Sequence, residues 1–458
     1  MTVSADIIQL LQKQNVNYEI SESQPTLTAV PSENHSMHAR SLVLKDGDNH
    51  VQIVFPANNF VDLDAMFRQF GREFTGAPPH ELLALGHNSE FNSIPAVPGW
   101  QDLPLIVDEQ LFKAENILLE AGSDSHLLTV NQEDFRGMFA NAKKGYFTRK
   151  IPALHEDSTH DSDDIHFAVE KFTQRRVHQR LDETLEMPPL PQTAQKIINL
   201  RADPNADIND LVNAVELDPS LAAQVVSWAA SPYYSAPGKI KSVHDAIVRV
   251  LGFDMVLNLA LGLSLGKTLS TQVLSANHIE NYWKRSIYSA AAVEGSVTSI
   301  SREHRPAFGM SYLAGLLSNY GYLIMAEVFP PYFENLERLS LANPHLPLSS
   351  IEKCLMGITG NQMASYLMDN WNMPKELVIA LRQQDNLEYE GEHKEYARLI
   401  YVANQLLANQ GVGRALQKEI PQHLYEELHL DEELSKKTID NILQAGDDLE
   451  AITNQANR

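Results

Sequence analysis

Few side chains in this 458-residue sequence stand where chemistry would need them. Arg40 is the first, a lone cation in the run His38-Ala39-Arg40-Ser41-Leu42-Val43-Leu44. A guanidinium can grip a phosphate or carboxylate through paired N–H bonds, so Arg40 is a candidate ligand contact. Ser93 closes the polar loop Gly86 to Ser93 just ahead of Ile94-Pro95 and is a second candidate. Further along, Arg285 follows Trp283, and the pair Ser318 and Asn319 interrupts the apolar stretch Leu313–Ile324 (LAGLLSNYGYLI), which is expected to form one helix. Polar groups in such a stretch either satisfy one another or face a partner.

Other reactive residue types carry less. Three histidines lie among carboxylates in His155 to His166 (HEDSTHDSDDIH), but without a fixed ligand spacing, so the run reads as a solvated, flexible linker. Cys354, the one cysteine, sits in an apolar pattern and reads as core; no intrachain disulfide is possible. No metal site and no cofactor are expected.

The elements that must position these residues differ along the chain. Ile7, Leu10 and Leu11 open a short helix. Ser41–Leu44 and Val51–Phe55 flank Lys45-Asp46-Gly47-Asp48-Asn49, a hairpin signal, because glycine supplies the positive φ of a tight turn. Leu63, Met66, Phe67 and Phe70 mark one face of a helix from Asp62 to Phe70. Short strands follow at Leu105–Val107, Ile117–Glu120 and His126–Val130, then a helix from Gln132. Residues 1–150 are therefore expected to form an α+β domain.

Residues 151–180 are expected to be an acidic linker and a connecting helix from Phe167, with Lys171, Arg175, Arg176 and Arg180 on its basic side. From 181 to 450 the pattern is helical. Asp218-Pro219 signals a helix start, Ser242 caps another, and Gly252 closes it. Met255 to Leu265 resembles a recognition helix in position only. It lacks the Arg, Lys or Gln that read base edges, so it is expected in the core and DNA is not an expected partner.

The composition sets bounds. Apolar residues make up 43%, and the formal charge is −23. A chain this acidic repels nucleic-acid backbone unless a local basic patch opposes the net field, and Lys143, Lys144, Arg149 and Lys150 are the candidates for one. No secretion signal is visible at the first residues, and the apolar run Met255 to Gly266 is too short to span a bilayer. A cytoplasmic protein with no membrane association is expected.

Two family resemblances organise these observations. Residues 1–150 resemble the YbaK/prolyl-tRNA-synthetase-associated domain, whose members deacylate misacylated tRNA. The match runs through His38–Leu44, the hairpin, Phe55-Pro56-Ala57, Ile94-Pro95-Ala96-Val97-Pro98 and Leu105-Ile106-Val107-Asp108-Glu109. The family's key lysine is replaced by Arg40, and its glycine-rich loop by Gly86 to Ser93, which has one glycine. Ester cleavage needs a positioned water and a stabilised oxyanion, and glycines let backbone N–H groups approach the substrate. Arginine for lysine is not a conservative exchange at such a site. The resemblance therefore implies lost or altered catalysis, with tRNA as partner if deacylation survives.

The helical part resembles the HDOD family, the HD-related output domain, through Pro188–Pro191, Leu217–Leu221, Ser231–Tyr234, Ile247–Gly252, Leu313–Ile324, Gly357–Trp371 and Pro374–Leu381. Metal-binding HD relatives carry His and Asp at positions that here hold Arg285, Ser318 and Asn319, Thr359 or Gly360, and Gln384 with Asp385. The lysine place holds Tyr322. Metal-dependent hydrolysis, which needs those ligands, is not expected. The resemblance implies a bacterial signalling adaptor that meets a protein partner near Arg285, Ser318 and Asn319. Deacylation of aminoacyl-tRNA by the first domain is the alternative.

Overall fold

A computed structural model describes residues 3, 5–22, 36–85, 94–122, 126–152, 159–177, 190–236, 238–267, 269, 274, 276–413 and 419–456. Ser93 and the rest of the loop 86–93 lie outside the described residues, as do 153–158 of the acidic run and Arg180. The chain divides into two compact units. The first is Met1–Ala153 together with Glu334–Leu355; the second is Leu154–Phe333 with Met356–Arg458.

The first unit is built on strands β1 (Glu19–Glu22), β2 (Ser36–Asp46), β3 (Asn49–Pro56), β4 (Asn59–Val61), β5 (Phe74–Gly76), β6 (Leu105–Asp108), β7 (Asn116–Glu120), β8 (His126–Asn131), β9 (Lys143–Gly145) and β10 (Thr148–Lys150). The main sheet runs β1-β8-β7-β2-β3-β6-β9, with β5 also on β2, while β4 and β10 pair separately. Pairs β2–β7, β3–β6 and β6–β9 are parallel and the others antiparallel, so the sheet is mixed, as the irregular order of elements predicts.

The hairpin turns where the Asp-Gly pair places it. Asp46 faces Asn49, and Gly47 sits at φ 65°. Strand β2 runs beyond its apolar core, because polar residues Ser36 and His38 still find ladder partners in β7. The helix Leu63–Phe70 starts where Asp62 accepts from the N–H groups of Asp64 and Ala65, and stops at Gly71, φ 66°. Its buried face is narrower than the sequence pattern predicts. Leu63 and Met66 are buried but Phe67 is 52% exposed. Ile7, Leu11, Val54, Val107, Leu119, Phe135 and Phe139 form the core.

The second unit is helical. Asp218 caps the helix Pro219–Ala229, accepting from Ser220 and Leu221 N–H, and Ser242 caps Val243–Ala246. A single π turn, Ile247–Leu251, carries that helix to Gly252 at φ 80°. The helix Phe253–Gly266 is buried from Met255 onward, so the would-be recognition helix is core.

Two expectations need correction here. Leu313–Ile324 is not one helix but two, Phe308–Leu317 and Tyr320–Val328, broken at Ser318-Asn319. The Ser318 carbonyl accepts from the Gln384 side-chain amide, while the Tyr322 N–H turns to Asn319 at 3.0 Å. The acidic run is also not linker throughout. A helix begins at Asp161, six residues before Phe167, and spans Asp161–Val177. Asp161 is buried and bound by Arg382 and by Gln362 at 2.6 Å, with Ile165 and Ala168 buried below it. Asp163 and Asp164 in the first turn suit the positive end of the helix dipole.

Candidate functional sites

Arg40 and Glu120 occupy neighbouring parallel strands. Ala39 pairs with Leu119, so the next residue of each strand projects to the same side. The result is a buried ion pair in which Arg40 Nε and Nη2 lie 2.8 and 2.6 Å from one oxygen, Glu120 Oε1. His38 Nε2 approaches the same oxygen at 3.5 Å. Burial pushes the Glu120 carboxyl up, but Arg40 and His38 together outweigh it and hold it below the ordinary carboxylate value. Arg40 is 9% exposed, not a free surface cation.

The motif residues around this pair mostly serve the fold. Ala96 N–H donates to the Glu120 carbonyl at 2.7 Å, and the Gln52 amide donates to Ser41 Oγ and the Pro95 carbonyl, pinning Ile94–Pro98 against the sheet. Asp108 accepts from Thr148 N–H at 2.9 Å, Thr148 Oγ1 at 2.7 Å and Gln110 N–H at 2.9 Å, which makes it a buried brace. Of the basic cluster, Lys144 lies over the Phe112 ring and Arg149 over Phe60, near Asp62, so part of its charge is engaged locally.

His345 joins this unit from far along the chain. Its Nε2 donates to the Asn59 carbonyl at 3.0 Å, which fixes the tautomer. Its ring meets Phe55 edge-on at 5.3 Å, and Phe55 is the register partner of Arg40. Burial, then the Arg40 charge, lower its pKa from 6.5 to about 3. Neither Glu120 nor His345 carried a usable sequence signal. Glu120 reads as the end of an apolar strand, and His345 as a loop residue beside proline.

In the second unit, several of the positions that the family resemblance assigns to metal ligands are hydrogen-bonded into one polar set. Ser318 Oγ donates to Ser289 Oγ at 3.1 Å, and Asn319 Nδ2 to Ser318 Oγ at 3.2 Å. Gln384 Nε2 reaches the Ser318 carbonyl and Asn361 Oδ1, both at 3.0 Å, and Asn361 Nδ2 reaches Asp385. Arg285 lies with its guanidinium 5.3 Å from the Tyr322 ring centre, so two of the substituted positions contact each other. Thr359 caps the helix Gly360–Asn370. A Cβ on Gly321 would stand 2.2 Å from the Gly360 carbonyl oxygen, so that glycine is fixed by packing. Among the described residues, no group of three or more His, Cys, Asp or Glu is placed to hold a metal.

A mixed-sheet unit and a helical unit, the latter with Ser318, Asn319, Gln384 and Asp385 at its centre, fit a two-part HD-related protein. The HDOD domain matches residues 187–387, and the aminoacyl-tRNA editing domain matches residues 21–138. A candidate signal transduction protein of Marinobacter aquaeolei VT8 has a crystal structure similar to this chain, with 37% identity and a TM-score of 0.83. The match covers 99% of this chain and 100% of that one. The chain belongs to the HDOD family, with an aminoacyl-tRNA editing-type domain ahead of the HDOD domain. An uncharacterized protein of Treponema pallidum (strain Nichols) is 21% identical over 268 residues, 58% of this chain and only half of its own length. An HDOD domain protein of Geobacter sulfurreducens is 17% identical with a TM-score of 0.49, over 63% of this chain and 97% of its own. No described helix is long and apolar enough to cross a membrane.

Proposed function

We propose that this chain is a non-catalytic bacterial regulatory adaptor that works through its HDOD domain on a protein partner in the cytoplasm. The observation that carries the reading is the set Ser318, Asn319, Ser289 and Gln384, neutral residues hydrogen-bonded to one another, Gln384 through the Ser318 carbonyl, where a hydrolase would hold its metal ligands. The likeness to a candidate signal transduction protein supports the same direction. Arg285, half-buried against Tyr322, supplies a charge beside this set for recognition of an acidic or aromatic group.

Residual deacylation of aminoacyl-tRNA is the weaker reading. The Arg40 guanidinium is already committed to Glu120, which leaves it poorly placed to stabilise an oxyanion.

The test is recovery of partners by the tagged full-length chain and by an Arg285→Ala, Asn319→Ala variant. A stoichiometric partner held by the wild-type chain and lost by the variant is the expected result. No partner, or one that the variant holds equally, would count against this surface.

A further inference from the structure

The first unit contains a guest. Residues Glu334–Leu355 fall inside the stretch matched by the HDOD domain, yet they fold with the editing-type domain. The chain enters and leaves this segment within the helices Pro330–Ala342 and Leu348–Met356, and residues 343–347 form the loop between them.

That loop is bound like a missing strand. Residues 59 and 61 of β4 point their peptide groups to one side and residue 60 points to the other, where β10 lies. Asn343 takes the first side with two bonds. Its Oδ1 accepts from Val61 N–H at 2.7 Å, and its Nδ2 donates to the Val61 carbonyl at 3.2 Å. The Asn343 amide thus stands in for a peptide group of a neighbouring strand. Two residues along the same edge, His345 Nε2 takes the Asn59 carbonyl. The close approach is built in on both sides, since a Cβ on Gly76 would stand 2.1 Å from the Leu341 carbonyl oxygen.

His345 also lies beside the Arg40–Glu120 pair, against Phe55 and within reach of the charges of both. Around that pair hydrogen-bonding capacity is left over. Both Arg40 contacts fall on Glu120 Oε1, and among the described residues Glu120 Oε2 and His345 Nδ1 are buried acceptors without a hydrogen-bond partner. Buried acceptors of this kind are ordinarily served by an ordered water, an ion or a ligand. A carboxylate oxygen beside a guanidinium suits a small group carrying both an ammonium and a carbonyl, the two ends of an aminoacyl unit.

We propose that the segment Glu334–Leu355 is a displaceable intramolecular occupant of this site, with His345 closing the place where an aminoacyl group would lie against Glu120 and Arg40. The editing-type domain is then a receptor for a stretch of the HDOD sequence, and ligand entry requires Asn343 and His345 to leave the edge of β4. Failure of this proposal leaves the adaptor reading of the HDOD domain standing, because the two rest on different residues.

The experiment uses the full-length chain and its Asn343→Ala, His345→Ala variant, titrated with 3′-alanylamino-3′-deoxyadenosine, an amide that cannot be hydrolysed as an ester. Hydrogen exchange is followed in parallel. The expected variant keeps slow exchange in the β2–β3 hairpin, loses protection at Val61, and binds the probe at least about tenfold more tightly than wild type. Equal binding by the two chains overturns the proposal, since the site would already be open. So does a variant with a released β4 edge, an intact hairpin and no gain in binding. If the double variant loses hairpin protection, Asn343→Ala alone is judged by the same two criteria.

Discussion

The two nitrogens of Arg40 that reach Glu120 share a single carboxylate oxygen, at 2.6 and 2.8 Å, and the pair is buried between parallel strands. This geometry has consequences for stability as well as for function. A buried charge stripped of its partner is costly, whereas removing both charges together is often close to neutral. Glu120→Leu alone should therefore destabilise the first unit by about 3–5 kcal/mol, and the double change Arg40→Met, Glu120→Leu by much less. Urea unfolding followed by the far-ultraviolet signal checks this. Equal losses in the single and double variants would show that the pair matters through shape alone.

The pH dependence of the first unit should carry two signatures of opposite residue type. Glu120 is held below its ordinary value, so its contribution is present above about pH 4.5 and is lost as pH falls through its folded value. His345 is lowered from 6.5 to about 3 and stays neutral in the folded chain. The unfolded chain then binds a proton that the folded chain refuses. Stability falls as pH drops from about 6.5 towards 3, by roughly 5 kcal/mol over the full range. A His345→Gln variant should lose the slope between pH 6.5 and 4.5, the window above the Glu120 effect. Unfolding free energies at half-unit pH steps for both chains measure it.

Asp161 holds the start of the connecting helix to the second unit through Arg382 and Gln362. Asp161→Ala leaves the largely buried Arg382 guanidinium without this counter-charge, and the cost should approach about 3–5 kcal/mol. The helix Asp161–Val177 should then become the preferred point of tryptic attack, beginning at Lys171, its first lysine or arginine. Asp161→Asn, which keeps one acceptor, should be cut more slowly than Asp161→Ala.

Two glycines give opposite expectations for the same substitution. Gly321→Ala drives a methyl group to 2.2 Å from the Gly360 carbonyl, and a backbone atom cannot swing aside; the loss should be about 1–3 kcal/mol or more. Gly137 lies within the helix Gln132–Met138, and nothing stands within 4 Å of the place an added methyl group would take, so Gly137→Ala should gain about 0.5–1 kcal/mol. Thermal unfolding of the two variants beside wild type distinguishes packing from backbone entropy.

What could be read from the sequence was what local chemistry carries. Asp46-Gly47 marked the hairpin, and Asp62 and Asp218-Pro219 marked helix starts. The partner of Arg40 was not legible, because Glu120 is 80 residues away and meets it only through the parallel register of β2 and β7. His345 was invisible for a related reason. A histidine after proline in a loop looks solvated until the β4 edge, nearly three hundred residues earlier, supplies its acceptor. The break at Ser318-Asn319 needed a side chain from Gln384, and the early start of the helix at Asp161 needed Arg382. In each case the deciding group is distant in sequence and polar, so hydrophobic periodicity carries no trace of it.

The most direct measurement is hydrolysis of a panel of misacylated tRNAs by the full-length chain beside its Arg40→Ala variant. The predicted result is no turnover above the spontaneous rate in either chain. Turnover by the wild-type chain that disappears in Arg40→Ala would contradict the non-catalytic account and make the first domain an editing enzyme with an HDOD regulator attached.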